Sequence, residues 1–438
     1  MTLGELLAEL DCDALGGEMH ALIRELYPTC RSITGDGVRE TLRRLGNLIE
    51  LTTTEVASGT DVYDWTVPRE WNIRDAYVKN RAGERVIDFR ESNLHVVSCS
   101  VPVHRTMSLA ELRGHLHTIP EHPDWIPYRT SYYSEGWGFC LPHSQLVQLP
   151  DGEYEVCIDS TLEDGHLTYG ECLLRGATDD EVLISCHVCH PSLCNDNLSG
   201  IAVAAFLAKQ LAPLSLRNSY RFLFVPGTIG SICWLSGNEE RLQKIRHGLV
   251  LTCVGDAGSI TYKKSRAGDA VIDRAVAHVL ESAGRPFEVR DFVPYGYDER
   301  QYCSPGFDLP VGCMMRTPFG EFPEYHSSAD NLEFVRAESL AHSLATALRV
   351  FDVLEHNLVC RNLKPKGEPR LGKRGLYDLI GGERVQDSQL ALLWVLNQSD
   401  GRHDLLAIAE KSGLPFSAVR DAATALLQTD LLEEEPRR

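Results

Sequence analysis

The hydrophobic rhythm of the chain changes sharply between residues 182 and 212. Val182-Leu183-Ile184 is a short apolar run bounded by turn residues, the pattern of a strand buried on both faces, and predicts a strand from Val182 to Cys186. From about Leu198 the spacing becomes helical, with Ile201, Ala204, Ala205, Leu207 and Leu211 on an apolar stripe. The alternation then repeats. Strands are predicted at Tyr220 to Val225, Leu249 to Val254 and Leu309 to Met315. Helices are predicted from about Ser231, from Ala270 to Ala283 and from Ala337 to His356. Strands that alternate with helices imply right-handed crossovers and a mainly parallel sheet.

The flanking segments read differently. Residues 3–50 carry helical stripes, Leu3, Leu6, Leu7 and Leu10, then Met19, Leu22, Ile23 and Leu26, broken at residues 32–37 and resumed from Val38 to Ile49. Residues 51–175 alternate short β-like runs with Gly, Pro and aromatic turns, interrupted by one helical piece from Ser108 to His117. The aromatic stretch here, Pro127 to Tyr133 with Trp137, reads first as core and second as a substrate-facing surface. A basic linker at 361–375 precedes three short helical patterns, Leu390 to Leu396, His403 to Lys411 and Pro415 to Gln428, with Gly413 at a turn. This tail resembles a winged-helix module. The divisions expected are N-terminal packing helices (1–55), an inserted mostly-β domain (56–165), an α/β core (166–360) and the winged-helix-like domain (361–438).

Charge and composition narrow the function. The 438 residues carry 43 Lys+Arg against 62 Asp+Glu, a net charge of −19 that disfavours phosphate backbones and anionic membranes. Within 364–438 the balance is 11 basic to 12 acidic residues, and the candidate recognition helix, Phe416 to Leu427, offers only Arg420. The tail therefore reads as a packing or dimerisation element, compatible with a homo-oligomer, rather than a DNA reader. No apolar run reaches the roughly 18 residues of a membrane span. The N-terminus is acidic, without the basic n-region of a secretory signal, so the 14 cysteines read as reduced thiols of a cytoplasmic protein. The CxxC at Cys186–Cys189 has no second pair to complete a Cys-type zinc site.

The candidate chemistry lies after the strands. His187 and His190 follow the first strand, Asp196 precedes the next helix, Asp256 follows the third strand and His326 the fourth. Ligands bind at that edge of open α/β sheets. His187, Asp196, Asp256 and His326 form a His₂Asp₂ set suited to zinc, one ion or two bridged by an aspartate. His190 reads as a support for the loop. Bound metal would activate water and polarise an amide carbonyl, and a carboxylate base would be needed beside it.

These residues resemble a known group. His187, Asn195-Asp196-Asn197-Leu198-Ser199-Gly200 and Tyr325-His326-Ser327-Ser328-Ala329-Asp330 resemble the signature of zinc aminopeptidases related to bacterial leucyl aminopeptidases and glutaminyl cyclases. More closely, SNLHVV, PYRTSYY, WGFCL, CHPSLCNDNLSG, TIGSI, YGYDERQYCSPG and EYHSSADNL resemble a bacterial aminopeptidase-like family with an inserted β domain and a C-terminal winged helix. The resemblance implies a phosphorylase/hydrolase-like core with zinc at His187, Asp196 and His326, and Asp256 at the position of a further ligand. It also exposes a departure. The family keeps a glutamate before Thr-Ile-Gly-Ser, where this chain has Gly227. Three explanations stand open. Glu299 or Glu324 serves as base, the site has been turned to amide formation or acyl transfer, or the protein binds a peptide or carrier without catalysis. The expectation is a zinc-dependent aminopeptidase-like hydrolase acting on a peptide or aminoacyl small molecule, with Tyr297, Asp298 and Arg300 shaping the substrate pocket. A Gly227→Glu variant is expected to raise its peptidase activity.

Overall fold

The structure is a computed structural model that describes residues 2–376 and 387–436. Its chain divides into two compact units, residues 1–270 with 286–345, and residues 271–285 with 346–438.

The first unit is built on an eight-stranded sheet. In chain order its strands are β1 (Thr52–Ala57), β2 (His166–Leu174), β3 (Glu181–His187), β4 (Ser219–Val225), β5 (Ile245–Leu251), β6 (Ile260–Lys263), β7 (Phe287–Arg290) and β8 (Val311–Met315). Their order across the sheet is β1-β2-β4-β3-β5-β8-β6-β7. The central four are parallel, with Ile184 opposite Phe222 on one side and Leu249 on the other. Strands β3 and β4 are buried along their whole length, which explains their unbroken apolar sequence. The one buried charge system there is paired. Arg221 donates to Glu181 at 2.6 and 2.8 Å and to Glu171 at 2.5 Å. All four predicted core strands are present, the third ending at Leu251 rather than Val254.

Two of the β-like runs within 51–175 belong to the main sheet, the second already inside the expected 166–360 core. Thr52–Ala57 and His166–Leu174 extend the main sheet as antiparallel neighbours at one edge. The inserted part keeps its own four-stranded sheet of Arg85–Asp88, Glu70–Lys79, Glu153–Glu163 and Val103–Ser108, around a core that includes Val78, Phe139 and Val156. The segment LHVVSCSV is a short 3₁₀ turn and extended loop, not a strand. N-terminal helices span Leu3–Glu9, Cys12–Leu26 and Asp36–Leu45, the first closed by a Thr2–Glu5 capping box.

The second unit contains Val271–Ser282 and the small C-terminal domain. Helices Asp387–Gln398, Leu405–Ser412 and Phe416–Gln428 stand with a three-stranded sheet of Asp400–Asp404, Val359–Asn362 and Leu432–Glu434. Gly413 closes the middle helix with φ +69°, a backbone state that glycine adopts freely. Arg361 and Asn362, expected in the linker, belong to the sheet. Residues 377–386, beyond that linker, lie outside the described residues. Among the described residues no helix is long and apolar enough to cross a membrane.

Candidate active site

Strand β3 delivers His187 to the carboxyl edge of the sheet, and residues 188–199 fold over it as a fully buried loop. That loop leads into helix α1 (Gly200–Leu211). A buried loop must satisfy its own backbone, and here one carboxylate meets two of its amides. Asp330 accepts from the Asn195 N–H at 2.5 Å and the Asp196 N–H at 2.9 Å. Burial, reinforced by the Asp196 charge, pushes Asp330 up to about 8 despite these donors.

The loop turns Asp196 toward three imidazoles. Its Oδ1 lies 2.8 Å from His187 Nε2, and its Oδ2 lies 3.0 Å from His326 Nε2 and 4.0 Å from His190 Nε2. The ligand atoms of His187, His190 and Asp196 all lie within 4.8 Å of one another. Burial opposes the charge of Asp196, yet His190, His187 and His326 together hold it well below the usual carboxylate range. Burial pushes His190 down to about 3, which leaves a neutral imidazole at physiological pH. Three imidazoles converging on one carboxylate are the donor set of a zinc site, so these residues fit that ion.

The surroundings fix each ring. The His187 ring stacks on Tyr297 with centroids 3.6 Å apart, and the Tyr297 hydroxyl lies 3.2 Å from His190 Nδ1. The His190 carbonyl accepts from Arg31 Nε at 2.9 Å. His326 sits at φ +56°, held by the inserted domain. Its carbonyl accepts from the Tyr128 N–H at 2.8 Å, while the Ser328 N–H donates to Ile126. Tyr325 stacks on the His326 ring.

Other expected residues have different tasks. Asp256 stands outside this cluster because its carboxylate is already saturated. It accepts from the Gly258 N–H at 2.6 Å, the Thr317 hydroxyl at 2.7 Å, the Thr317 N–H at 3.1 Å and the Asn195 amide at 3.0 Å. It thereby positions the residue before Asp196. Glu299 is buried against Lys263 Nζ at 2.5 Å and accepts from the Tyr297 N–H, so its charge is committed to an ion pair rather than to a proton transfer. Lys263 also donates to the Tyr295 carbonyl at 2.8 Å, which pins the loop carrying Tyr297. Asp298 accepts from the Thr228 N–H at 2.7 Å and the Ser231 hydroxyl at 2.9 Å, at the start of helix α2 (Ile229–Asn238). Its Oδ2 is buried with no partner, and burial raises its carboxyl. Arg300 Nε is likewise buried and unpartnered among the described residues. Glu324 is half-buried, and its carboxylate makes no hydrogen bond or ion pair among the described residues.

Gly227 owes its identity to Tyr297. A Cβ at 227 would lie 2.7 Å from Tyr297 Cε1 and 3.3 Å from its hydroxyl. The tyrosine ring therefore fills the space next to the position where a glutamate was expected. Sequence reasoning gave His190 too small a part and missed Arg31 and Asp330. Asp330 was visible as the last residue of the EYHSSAD phrase, whereas nothing local marked Arg31.

Residues 20–357 match a family described as a domain of unknown function (DUF4910). The chain belongs to this family. Residues 358–434 match a winged helix-turn-helix family. A Clostridium acetobutylicum protein is 55% identical over 419 residues, covering 95% of this chain and 96% of the relative. It is provisionally described as a polysaccharide biosynthesis protein with an aminopeptidase-like domain. A crystal structure from the same organism, of a protein provisionally called a peptidase, is 52% identical with a TM-score of 0.94, covering 99% of this chain and all of that one. The zinc aminopeptidase of Bacillus subtilis, at 12% identity, aligns with a TM-score of 0.55 over 76% of this chain and 94% of its own. The core accordingly has the aminopeptidase fold.

Proposed function

We propose that this protein is a zinc-dependent, aminopeptidase-like hydrolase of an amide bond in a peptide or aminoacyl conjugate. The observation that carries the reading is the convergence of His187, His190, His326 and Asp196 at the carboxyl edge of the parallel strands. His187, Asp196 and His326 would hold the ion, with His190 beside them. Bound zinc would supply an activated water and polarisation of the scissile carbonyl.

The rest of the chemistry falls to the chain itself. Glu324, two residues before His326 and with a carboxylate free of partners among the described residues, is the proposed proton acceptor. The Tyr297 hydroxyl, beside His190, would hydrogen-bond the substrate, and its ring keeps His187 in plane. The unpartnered Oδ2 of Asp298 and the unpartnered Arg300 Nε would complete the pocket once a polar substrate group arrives. The 14 free thiols suit a reducing, cytoplasmic setting. The relative's description supports a biosynthetic intermediate as substrate.

A second reading draws on one observation, the tyrosine ring packed where the family's glutamate was expected. It makes the protein a binder of the same conjugate, or a catalyst of amide formation. The test is metal content of protein purified without added metal, together with hydrolysis of aminoacyl anilides. One or two zinc ions per chain, lost in His187→Ala and His326→Ala, are expected, with turnover that follows the metal. Protein that takes up no zinc after reconstitution would sink the hydrolase reading. Full zinc with no turnover on any aminoacyl amide would favour the second reading.

A further inference from the structure

Exposed aromatic rings cluster on one side of the candidate site and connect to it. Trp65 is 38% exposed and Tyr133 is 53% exposed, and their rings meet edge to face at 5.5 Å. Tyr133 meets Tyr132 at 6.4 Å. The Tyr132 hydroxyl is hydrogen-bonded to that of Tyr128. Tyr128 in turn presents its ring to His190 at 5.2 Å and to His326 at 5.1 Å. A continuous run of rings thus leads from the imidazoles of the buried site to the surface.

The structure spends strain on the outer end of this run. Asp61–Val62 pairs with Trp65–Thr66 in a hairpin whose two-residue turn is Tyr63-Asp64. Tyr63 has φ +56°, a region bulky residues avoid, and it is 51% exposed. Glycine or asparagine would make the same turn with less strain. The ring is nevertheless held in place, edge to face with Phe307 at 5.7 Å and with its hydroxyl on Glu239. Strain that fixes an exposed aromatic points to a ligand rather than to the fold.

The chemistry around the rings selects the ligand. Asp61 and Asp64 lie in the hairpin beside Trp65, Glu239 accepts from the Tyr63 hydroxyl, and Glu135 is paired with Arg69. Anionic phosphates and nucleic acids are disfavoured there. The large exposed side chains here are aromatic, not aliphatic, which suits flat faces better than a peptide's branched side chains. Carboxylates and phenols accept and donate to adjacent hydroxyls, and ring faces receive the C–H faces of a pyranose.

We propose that Trp65, Tyr133 and Tyr63 form a binding platform for a neutral or N-acetylated sugar, with Tyr132 and Tyr128 joining it to the His187–Asp196–His326 centre. This inference rests on the amide-hydrolase reading for the reacting end alone. It makes the substrate an aminoacyl or amide-bearing glycoconjugate, with its sugar on the aromatic platform and its amide at the imidazoles.

The test is calorimetric titration of the full-length protein with cellotetraose and with the N-acetylglucosamine tetramer, alongside tetra-alanine. Saturable binding of at least one sugar, and none of the peptide, is expected. Trp65→Leu and Tyr133→Leu should each weaken it at least tenfold without lowering the melting temperature, while Trp65→Phe and Tyr133→Phe should stay within about threefold of the wild type. His187→Ala should bind the sugar like the wild type while losing its metal. Flat sugar titrations of zinc-loaded protein would overturn this inference and leave the hydrolase reading intact. Sugar binding indifferent to Trp65→Leu and Tyr133→Leu, or tetra-alanine bound in the sugar's place, would also overturn it. A protein that takes up no zinc but binds sugar through Trp65 keeps the platform and loses the hydrolase.

Discussion

Adding a single methyl group at residue 227 tests the packing at the centre of the site. In Gly227→Ala the new Cβ would sit 2.7 Å from Tyr297 Cε1 and 3.4 Å from Cys189 Sγ. A carbon–carbon contact that close cannot persist, so something must move. The ring is poorly placed to yield. It is stacked on His187, its hydroxyl lies 3.2 Å from His190, and its loop is tied down by the Glu299–Lys263 ion pair at 2.5 Å. Overpacking of this kind costs about 1–3 kcal/mol. Loss of glycine's freedom in the unfolded chain returns about 0.4–1 kcal/mol. The net expectation is a destabilisation of about 0–2.6 kcal/mol, measured by urea unfolding. The decisive step is the cycle with Tyr297→Ala, in which the methyl group enters vacated space. Gly227→Ala should then be neutral or stabilising, a coupling of about 1–2 kcal/mol. The same penalty in both backgrounds would refute the reasoning. This geometry also revises the expectation for Gly227→Glu. The acid can reach the site only if the ring leaves, so any gain on aminoacyl anilides should be larger in Gly227→Glu/Tyr297→Ala than in Gly227→Glu alone.

Three further outcomes follow from the same contacts. Lys263→Met leaves Glu299 buried without its counter-charge and should cost about 3–5 kcal/mol in chemical unfolding, with much of it recovered in Lys263→Met/Glu299→Gln. Asp256→Asn should lower stability while leaving zinc content unchanged, because its carboxylate is spent on Gly258, Thr317 and Asn195; loss of the metal instead would return Asp256 to the ligand set. Arg39 holds Glu70 down to about 2, below its ordinary value of 4.5, so the folded state binds this proton less tightly than the unfolded chain. That stability is complete above about pH 4.5 and is lost as pH falls toward 2. With the pair partly buried and partly screened it amounts to about 1–3 kcal/mol. Glu70→Gln should flatten the unfolding free energy over that interval, and an unchanged acid limb would count against the pair.

The order of the core was legible because its signals are local. Unbroken apolar runs at residues 182–186 and 220–225 announce strands buried on both faces, and helical spacing after Leu198 announces the crossover. Such a sheet gathers the residues after its strands at one edge, so His187, Asp196 and His326 could be brought together on paper. The edges of the sheet were not legible. Thr52–Ala57 and His166–Leu174 carry the same short alternation as the inserted strands, and only their pairing, with each other and through the second with Ser219–Val225, distinguishes them.

The side-chain assignments that changed share one cause: a carboxylate near a site is defined by what saturates it. Asp256 has the right residue type after the right strand and Glu299 is an acid in the expected substrate loop, yet four donors claim one and a buried lysine the other. Asp196 is the opposite case. Its backbone is held by Asp330, which frees both of its oxygens to face imidazoles. The same reasoning applies to Gly227. In the sequence it is a missing acid, whereas in the folded chain it is the space that admits Tyr297 from seventy residues away. The glycine and the tyrosine therefore act as a pair. Substituting either one alone should alter the other before it alters the chemistry.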